Sequence, residues 1–319
     1  MPLSKIHTQL FRWLPVITTL PASAIAVIVI ATLGLLTPTS PSAKELPGAR
    51  IVVTIKPLYS LVANLTEGVT EPALLLDQEA DIHHVTLRPS QRRMLSRADV
   101  IIRISSQLTP FLDHVLDDLK QHDQDRLIEA IDAPDIVLHR VRHFTGGAAH
   151  SHGEDHDRQR IDPHIWLSSG NARAISRFIA MRLGKALPEH AARINSNLAE
   201  TLEKIEQLDS ELRQTFAKTE TAYIAQHDAY QYFDREYDIA LGAAVSINDE
   251  TGASLKHMRQ LGTVIEQDSP GCIVYQAPRQ AMVDTLAERY ELEPVELDPL
   301  GLTIPAGADA WFSIMRRLG

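Results

Sequence analysis

The sequence predicts an α/β protein made of two similar parallel-sheet lobes joined by one long rigid helix. Three observations lead there. After residue 50, short apolar runs alternate with amphipathic stretches, the same alternation returns over the last hundred residues, and an unbroken helical pattern lies between the two blocks.

The first block, residues 48–187, reads "RIVVTI", "PLYSLVANLTEG", "PALLLD", "SQRRMLSRA", "DVIIRIS" and "LTPFLDHVLDDLKQH" as strand, helix, strand, helix, strand, helix. Within it the rhythm breaks at "HRVRHFTGGAAHSHGEDHDRQR" (139–160), which has no apolar period and is expected to be a solvated loop. It resumes with "IDPHIWLS" and a helix to about Leu187. Pro188 then opens the connecting helix, residues 188–218, in which Ala192, Ile194, Leu198, Leu202, Ile205, Leu208 and Leu212 fall at helical spacing. At 1.5 Å per residue, roughly thirty residues span about 45 Å. The second block, residues 219–319, repeats the pattern through "AYIAQHDAY", "SLKHMRQLGTVIEQDSP", "CIVYQAPR", "QAMVDTLAERYELE" and "PVELDPLG", and closes with a short helix.

Residues 1–45 read as an export signal. Lys5, His7 and Arg12 give a positive start, "WLPVITTLPASAIAVIVIATLGLL" gives the apolar run, and "TSPSAKEL" offers cleavage near Ala43, although Pro41 fits that site poorly. An uncleaved membrane anchor is the alternative, because the run approaches bilayer length. No cysteine stands nearby to carry an N-terminal lipid. The lone Cys272, inside "GCIVYQ", is expected to be a buried small hydrophobe. An exported chain with one thiol forms no internal disulfide.

A formal charge of −10 argues against a nucleic-acid partner and fits capture of a cation. Fourteen histidines, clumped in the middle of the chain, point to metal handling. In parallel α/β sheets ligands sit at the carboxyl ends of strands, so polar residues that follow apolar runs come first. Four qualify: His83 after "PALLLDQEADI", His164 in "DPHIW", His227 after "AYIAQ" and Asp298 after "PVEL". Two lie in each block, which places a candidate metal site in the cleft between the lobes. Three imidazoles and an oxygen suit Zn²⁺ better than Mg²⁺ or Ca²⁺.

"TIKPLYSLVANLTEGV", "DIHHVTLRPSQRRMLSRADVII", "DPHIWLS", "HDAYQYF" and "LDPLG" resemble, in order and spacing, the signatures of the metal-binding periplasmic components of zinc ABC importers. The resemblance runs from about residue 50 to the C-terminus. It implies a periplasmic solute-binding protein, not an enzyme, that captures Zn²⁺ through His83, His164, His227 and Asp298 and delivers it as a monomer to a membrane permease. Asp298 or water fills the fourth position. His84, beside the first ligand, is expected at the rim, since neighbouring side chains on an extended segment point opposite ways. Ser90 is expected to N-cap the helix after Pro89.

Departures from the pattern are Ile82 where the family has proline, Gln107 and Thr109 where zinc relatives carry an acidic residue, and a Cys272 without a partner cysteine. His227 stands where manganese relatives carry glutamate. Asp228 is expected to support a ligand histidine or the local structure. His139, His143, His150, His152 and His156 resemble the His-rich insertion of zinc relatives, a low-affinity collector whose ordering cost weakens its binding. The alternatives are a manganese-binding homologue of the same transporter class, a three-histidine zinc hydrolase and a surface adhesin. Against the hydrolase, the sequence holds no HExxH helix and no Gly-rich nucleophile turn. Against the adhesin, it holds no repeats and no Ser/Thr stalk.

Overall fold

The first apolar run forms β1 (Ile51–Ile55), buried along its whole length as a parallel strand covered on both faces must be. In this computed structural model the described residues are 49–77, 82, 85–142, 160–217, 222–246 and 255–319. The expected export segment 1–45, His83, His84, His143, His150, His152 and His156 lie outside them. Among the described residues no helix is long and apolar enough to cross a membrane.

Lys56 begins α1 (Lys56–Leu65) with Pro57 in the first turn, where a missing N–H has no helical partner to lose. β2 (Ala73–Leu76), α2 (Pro89–Arg97), β3 (Val100–Arg103), α3 (Asp113–His122) and β4 (Leu127–Glu129) follow. The four strands are parallel in the order β2-β1-β3-β4. α2 corrects one expectation. Its N-cap is Arg88, not Ser90; Pro89 takes the first helical position, and the Gln91 side chain accepts the Arg88 backbone N–H at 2.8 Å. The same Gln91 donates to the Leu75 carbonyl at 2.8 Å and so ties α2 to β2.

α4 (Ser169–Ala186) starts at Ser168, whose hydroxyl accepts the Asn171 N–H at 3.0 Å. A single 3₁₀ turn at Pro188–His190 then leads into α5 (Ala191–Phe216), the connecting helix. Its 26 residues reach roughly 39 Å at 1.5 Å each. Ile194, Ile205 and Leu208 are fully buried on its inner face, each contributing about 1.5–3 kcal/mol. Polar residues share that face. Asn197 is buried and donates to the Leu65 and Glu67 carbonyls at 3.0 and 2.9 Å, satisfying acceptors at the end of α1. Ala192, expected inside, is exposed.

The second lobe holds β5 (Tyr223–His227), α6 (Gln231–Tyr237), β6 (Leu241–Ser246), α7 (Leu255–Asp268), β7 (Cys272–Tyr275), α8 (Ala281–Tyr290) and β8 (Glu293–Glu296). Its order, β6-β5-β7-β8, repeats that of the first sheet. Cys272 is half-buried instead of buried, and burial pushes its thiol above the ordinary range.

The chain ends in α9 (Ala310–Leu318), which packs on α1 of the first lobe and on the connecting helix α5. Asn64 donates to the Ala308 carbonyl at 2.7 Å, and the Ser60 hydroxyl accepts the Trp311 N–H at 3.0 Å. Trp166 and Trp311, both fully buried, link the halves further: the Trp311 indole donates to the Trp166 carbonyl at 2.7 Å and the Trp166 indole to the Pro299 carbonyl at 2.9 Å.

Candidate metal centre

His227 is the last residue of β5, the central strand from which the second sheet runs outward on both sides. Such a switch point opens a crevice at the strand's carboxyl end. His164 comes from the first lobe, and by a different route from the one expected. It follows no strand; it precedes the 3₁₀ turn Ile165–Leu167.

Asp162, two residues earlier, sets the pose of His164. Its Oδ1 accepts the His164 backbone N–H at 3.0 Å and meets the ring Nδ1 at 2.7 Å. With Nδ1 committed to a carboxylate, the neutral ring carries its free lone pair on Nε2, the atom a metal takes. Asp162 is itself held, by Gln231 Nε2 on Oδ2 at 3.3 Å and by the Tyr232 hydroxyl on its carbonyl at 2.8 Å. It is buried, as are His164 and His227.

The two imidazole centroids lie 5.1 Å apart at an interplanar angle of 64°. A zinc–nitrogen bond near 2.05 Å and a tetrahedral angle put two bound imidazole centroids about 5.2 Å apart. The separation of the pair is therefore compatible with a shared tetrahedral ion, as it is with simple edge contact of the two rings. Among the described residues no group of three or more His, Cys, Asp or Glu side chains could hold an ion. His83, in the segment after β2, lies outside those residues.

Asp298 follows β8, as expected, but its carboxylate serves its own turn. Oδ1 accepts the Leu300 and Gly301 N–H groups, each at 2.9 Å, and Oδ2 accepts that of Leu302. Gly301 sits at φ +68, and a Cβ there would come within 2.7 Å of Ile314, so the turn needs glycine. The buried Lys56 ammonium donates to the Gly301 and Ile304 carbonyls, each at 2.8 Å, and lies 3.4 Å from Asp77. Gln107 and Thr109 bind the backbone, at Ile161 O (2.5 Å) and Ser105 O (3.2 Å).

The expected solvated stretch is anchored at both ends. Arg140 pairs with Ile161 in an antiparallel bridge, and Val141 N–H reaches Arg160 O at 3.1 Å. His139 packs its ring 5.0 Å from that of Tyr232, and its N–H donates to the Tyr232 hydroxyl at 3.0 Å. Burial, then the nearby Arg235 cation, lowers the His139 pKa.

Arg142 crosses to the second lobe. Its Nε contacts both Asp228 oxygens, at 3.1 and 2.9 Å, Nη2 reaches Asp228 Oδ1, and Nη1 reaches Asp234 Oδ2 at 2.7 Å. Tyr223 donates to Asp234 Oδ1 at 2.8 Å. Burial raises the Asp228 carboxyl and pushes Asp234 up to about 6, each only partly offset by Arg142. One guanidinium faces two buried carboxylates, so compensation is incomplete. Asp228 thus supports the local structure through Arg142. Sequence reading missed Asp162, Arg142, Lys56 and Gln231; only the D-P-H spacing in "IDPHIW" signalled one of them.

Residues 51–318 match the family described as zinc-uptake complex component A, periplasmic. The high-affinity zinc uptake system protein ZnuA of Paracoccus denitrificans (strain Pd 1222) is 28% identical, covering 88% of this chain and 91% of that one. ZnuA of Brucella abortus (strain 2308) is 26% identical, over 84% and 89%. Among solved structures, a ZnuA crystal structure superposes with a TM-score of 0.69 at 22% identity, covering 85% and 96%. The binding protein FpvC of Pseudomonas aeruginosa, solved with Mn²⁺, gives 0.68 at 18%, covering 85% and 95%. Those two likenesses confirm the fold of paired α/β lobes. The chain belongs to the family of periplasmic zinc-uptake components, solute-binding proteins of metal import.

Proposed function

We propose that this protein is exported, captures Zn²⁺ with His83, His164 and His227, and hands the ion to the membrane permease of an ABC importer. One observation carries the reading: the rings of His164 and His227, from different lobes, meet edge-on with centroids 5.1 Å apart, and one nitrogen of His164 lies on Asp162. A carboxylate behind a histidine fixes its tautomer and raises its basicity, the usual outer partner of a metal-bound imidazole. His83 supplies the third nitrogen. Asp298, already tied to its turn, acts across a bound water in the fourth position. His143, His150, His152 and His156 form a weak collector, while His139 belongs to its stem. No catalytic step is assigned; the ion is cargo.

Manganese is the second reading, because the similar FpvC was solved with Mn²⁺. The imidazole of His227 favours zinc, since Mn²⁺ prefers harder oxygen donors. Competitive titration of metal-free protein with zinc and manganese against a chromophoric chelator tests the choice. Zinc should win by at least tenfold; equal or reversed preference would sink the zinc reading.

A further inference from the structure

We infer that Arg142 is a positioning residue of the metal centre, tethering Asp228 at the end of β5 and thereby aiming His227. The inference rests on the reading of His227 as a zinc ligand. Asp228 is joined directly to His227, and the chain turns sharply there, with the Ala229 N–H on the His227 carbonyl at 3.0 Å. Where the Asp228 side chain is tied therefore fixes the peptide unit that orients the His227 ring. The tie is a fork: Arg142 reaches both oxygens of Asp228 and, with its remaining arm, Asp234. Asp234 opens no slack, since Tyr223 of β5 holds its other oxygen at 2.8 Å.

The stem that carries Arg142 also carries Asp162. The Arg140–Ile161 bridge and the Asp162 N–H on His139 O at 2.9 Å join its two strands. Gln231, at the start of α6, grips both sides of that stem, donating to Arg140 O at 3.0 Å and to Asp162 Oδ2 at 3.3 Å. One short frame, residues 139–142 and 160–162, thus orients His164 through Asp162 and His227 through Arg142. These residues are part of the tight site's scaffold, not of the insertion between them.

The competing role for Arg142 is neutralisation of two buried carboxylates. Two variants separate it from positioning. Arg142→Lys keeps the charge and loses the planar fork. The triple variant Arg142→Met, Asp228→Asn, Asp234→Asn removes the buried charges and the tether together. Folding of the metal-free proteins is followed by circular dichroism and thermal melts, and zinc affinity by chelator competition. Whichever variant folds should bind zinc at least fivefold more weakly and, loaded with Co²⁺, show a shifted visible absorption band. Zinc affinity within fivefold of the parent in the folded variants overturns the inference. His227→Ala, measured alongside, keeps the two failures apart. If it too binds zinc like the parent, the ligand reading falls; if it alone loses zinc, only the role of Arg142 falls.

Discussion

The ring Nδ1 of His164 lies 2.7 Å from Oδ1 of Asp162, a carboxylate two residues back along the same chain. Pro163 between them limits the backbone, and Gln231 and Tyr232 hold Asp162 from the second lobe. Asp162→Asn should cost about 10- to 100-fold in zinc affinity, the range for partners behind a ligand. The fold should survive, because an amide still accepts from the His164 N–H. Chelator competition and a thermal melt check both halves; unchanged affinity would leave Asp162 as a turn residue only.

For the three proposed ligands, His83→Ala, His164→Ala and His227→Ala should each weaken zinc by about a hundredfold or more, roughly 2.7 kcal/mol. A three-nitrogen site that loses one must recruit water in its place. Any variant that stays within about twofold, only some 0.4 kcal/mol, removes its residue from the site.

The parallel sheets and the lobe repetition were legible because β1, β3, β5 and β7 are apolar runs bounded by turn residues, whereas the strand orders β2-β1-β3-β4 and β6-β5-β7-β8 come from the fold. β4, three residues long, and β6, "LGAAVS", carry too little pattern to register, and their strand character comes from pairing with β3 and β5. His227 was legible since it ends a strand. The setting of His164 was not legible, as it follows no strand and its ring is held by Asp162, which Gln231 grips from some seventy residues away. Arg142 was unreadable inside a polar, His-rich stretch, because its two carboxylate partners lie in the other lobe.

The stem geometry bears on the insertion. Deleting residues 143–157 leaves Arg142 and Asp162 in place, so the tight site should persist within a few fold while total zinc per chain falls. Calorimetry resolves the two classes of site. Extending the deletion to 139–160 should weaken the tight site as well, since it removes the Arg142 tether; equal affinity in both deletions would contradict the scaffold role.

Asp234 makes stability depend on pH. Its folded pKa, about 6, lies above the ordinary 3.8 because it is buried beside Asp228 with one guanidinium for both. The native state then holds this proton more tightly than the unfolded chain does. The stability it contributes is full below about pH 4 and is lost as the pH rises through 6. Relative to Asp234→Asn, the metal-free parent should therefore lose stability between pH 4 and 6 and run level above about pH 7. A difference that grows in the parent's favour across that window would mean Arg142 holds Asp234 below its ordinary value.

Asp298 separates a structural duty from a binding one. Its carboxylate collects three backbone N–H groups of the turn that Lys56 clamps from the first lobe. Asp298→Ala strands the Leu300 and Leu302 donors, while the Gly301 N–H keeps the Asp298 carbonyl at 3.3 Å, and each buried donor left unpaired costs about 1–3 kcal/mol. The melting temperature of the metal-free protein should fall even before zinc is considered. Carboxylate oxygens have lone pairs left after accepting these bonds, so a bridging water can still be held toward the ion. On that footing zinc should weaken about 10- to 100-fold, and manganese more, because a site with three nitrogens gives Mn²⁺ little else that is hard. Asp298→Asn sharpens the reading: it keeps an acceptor for the turn but loses the charge. If the asparagine variant melts like the parent and binds zinc like the parent, Asp298 is a turn-former, and the fourth position belongs to solvent that no side chain holds.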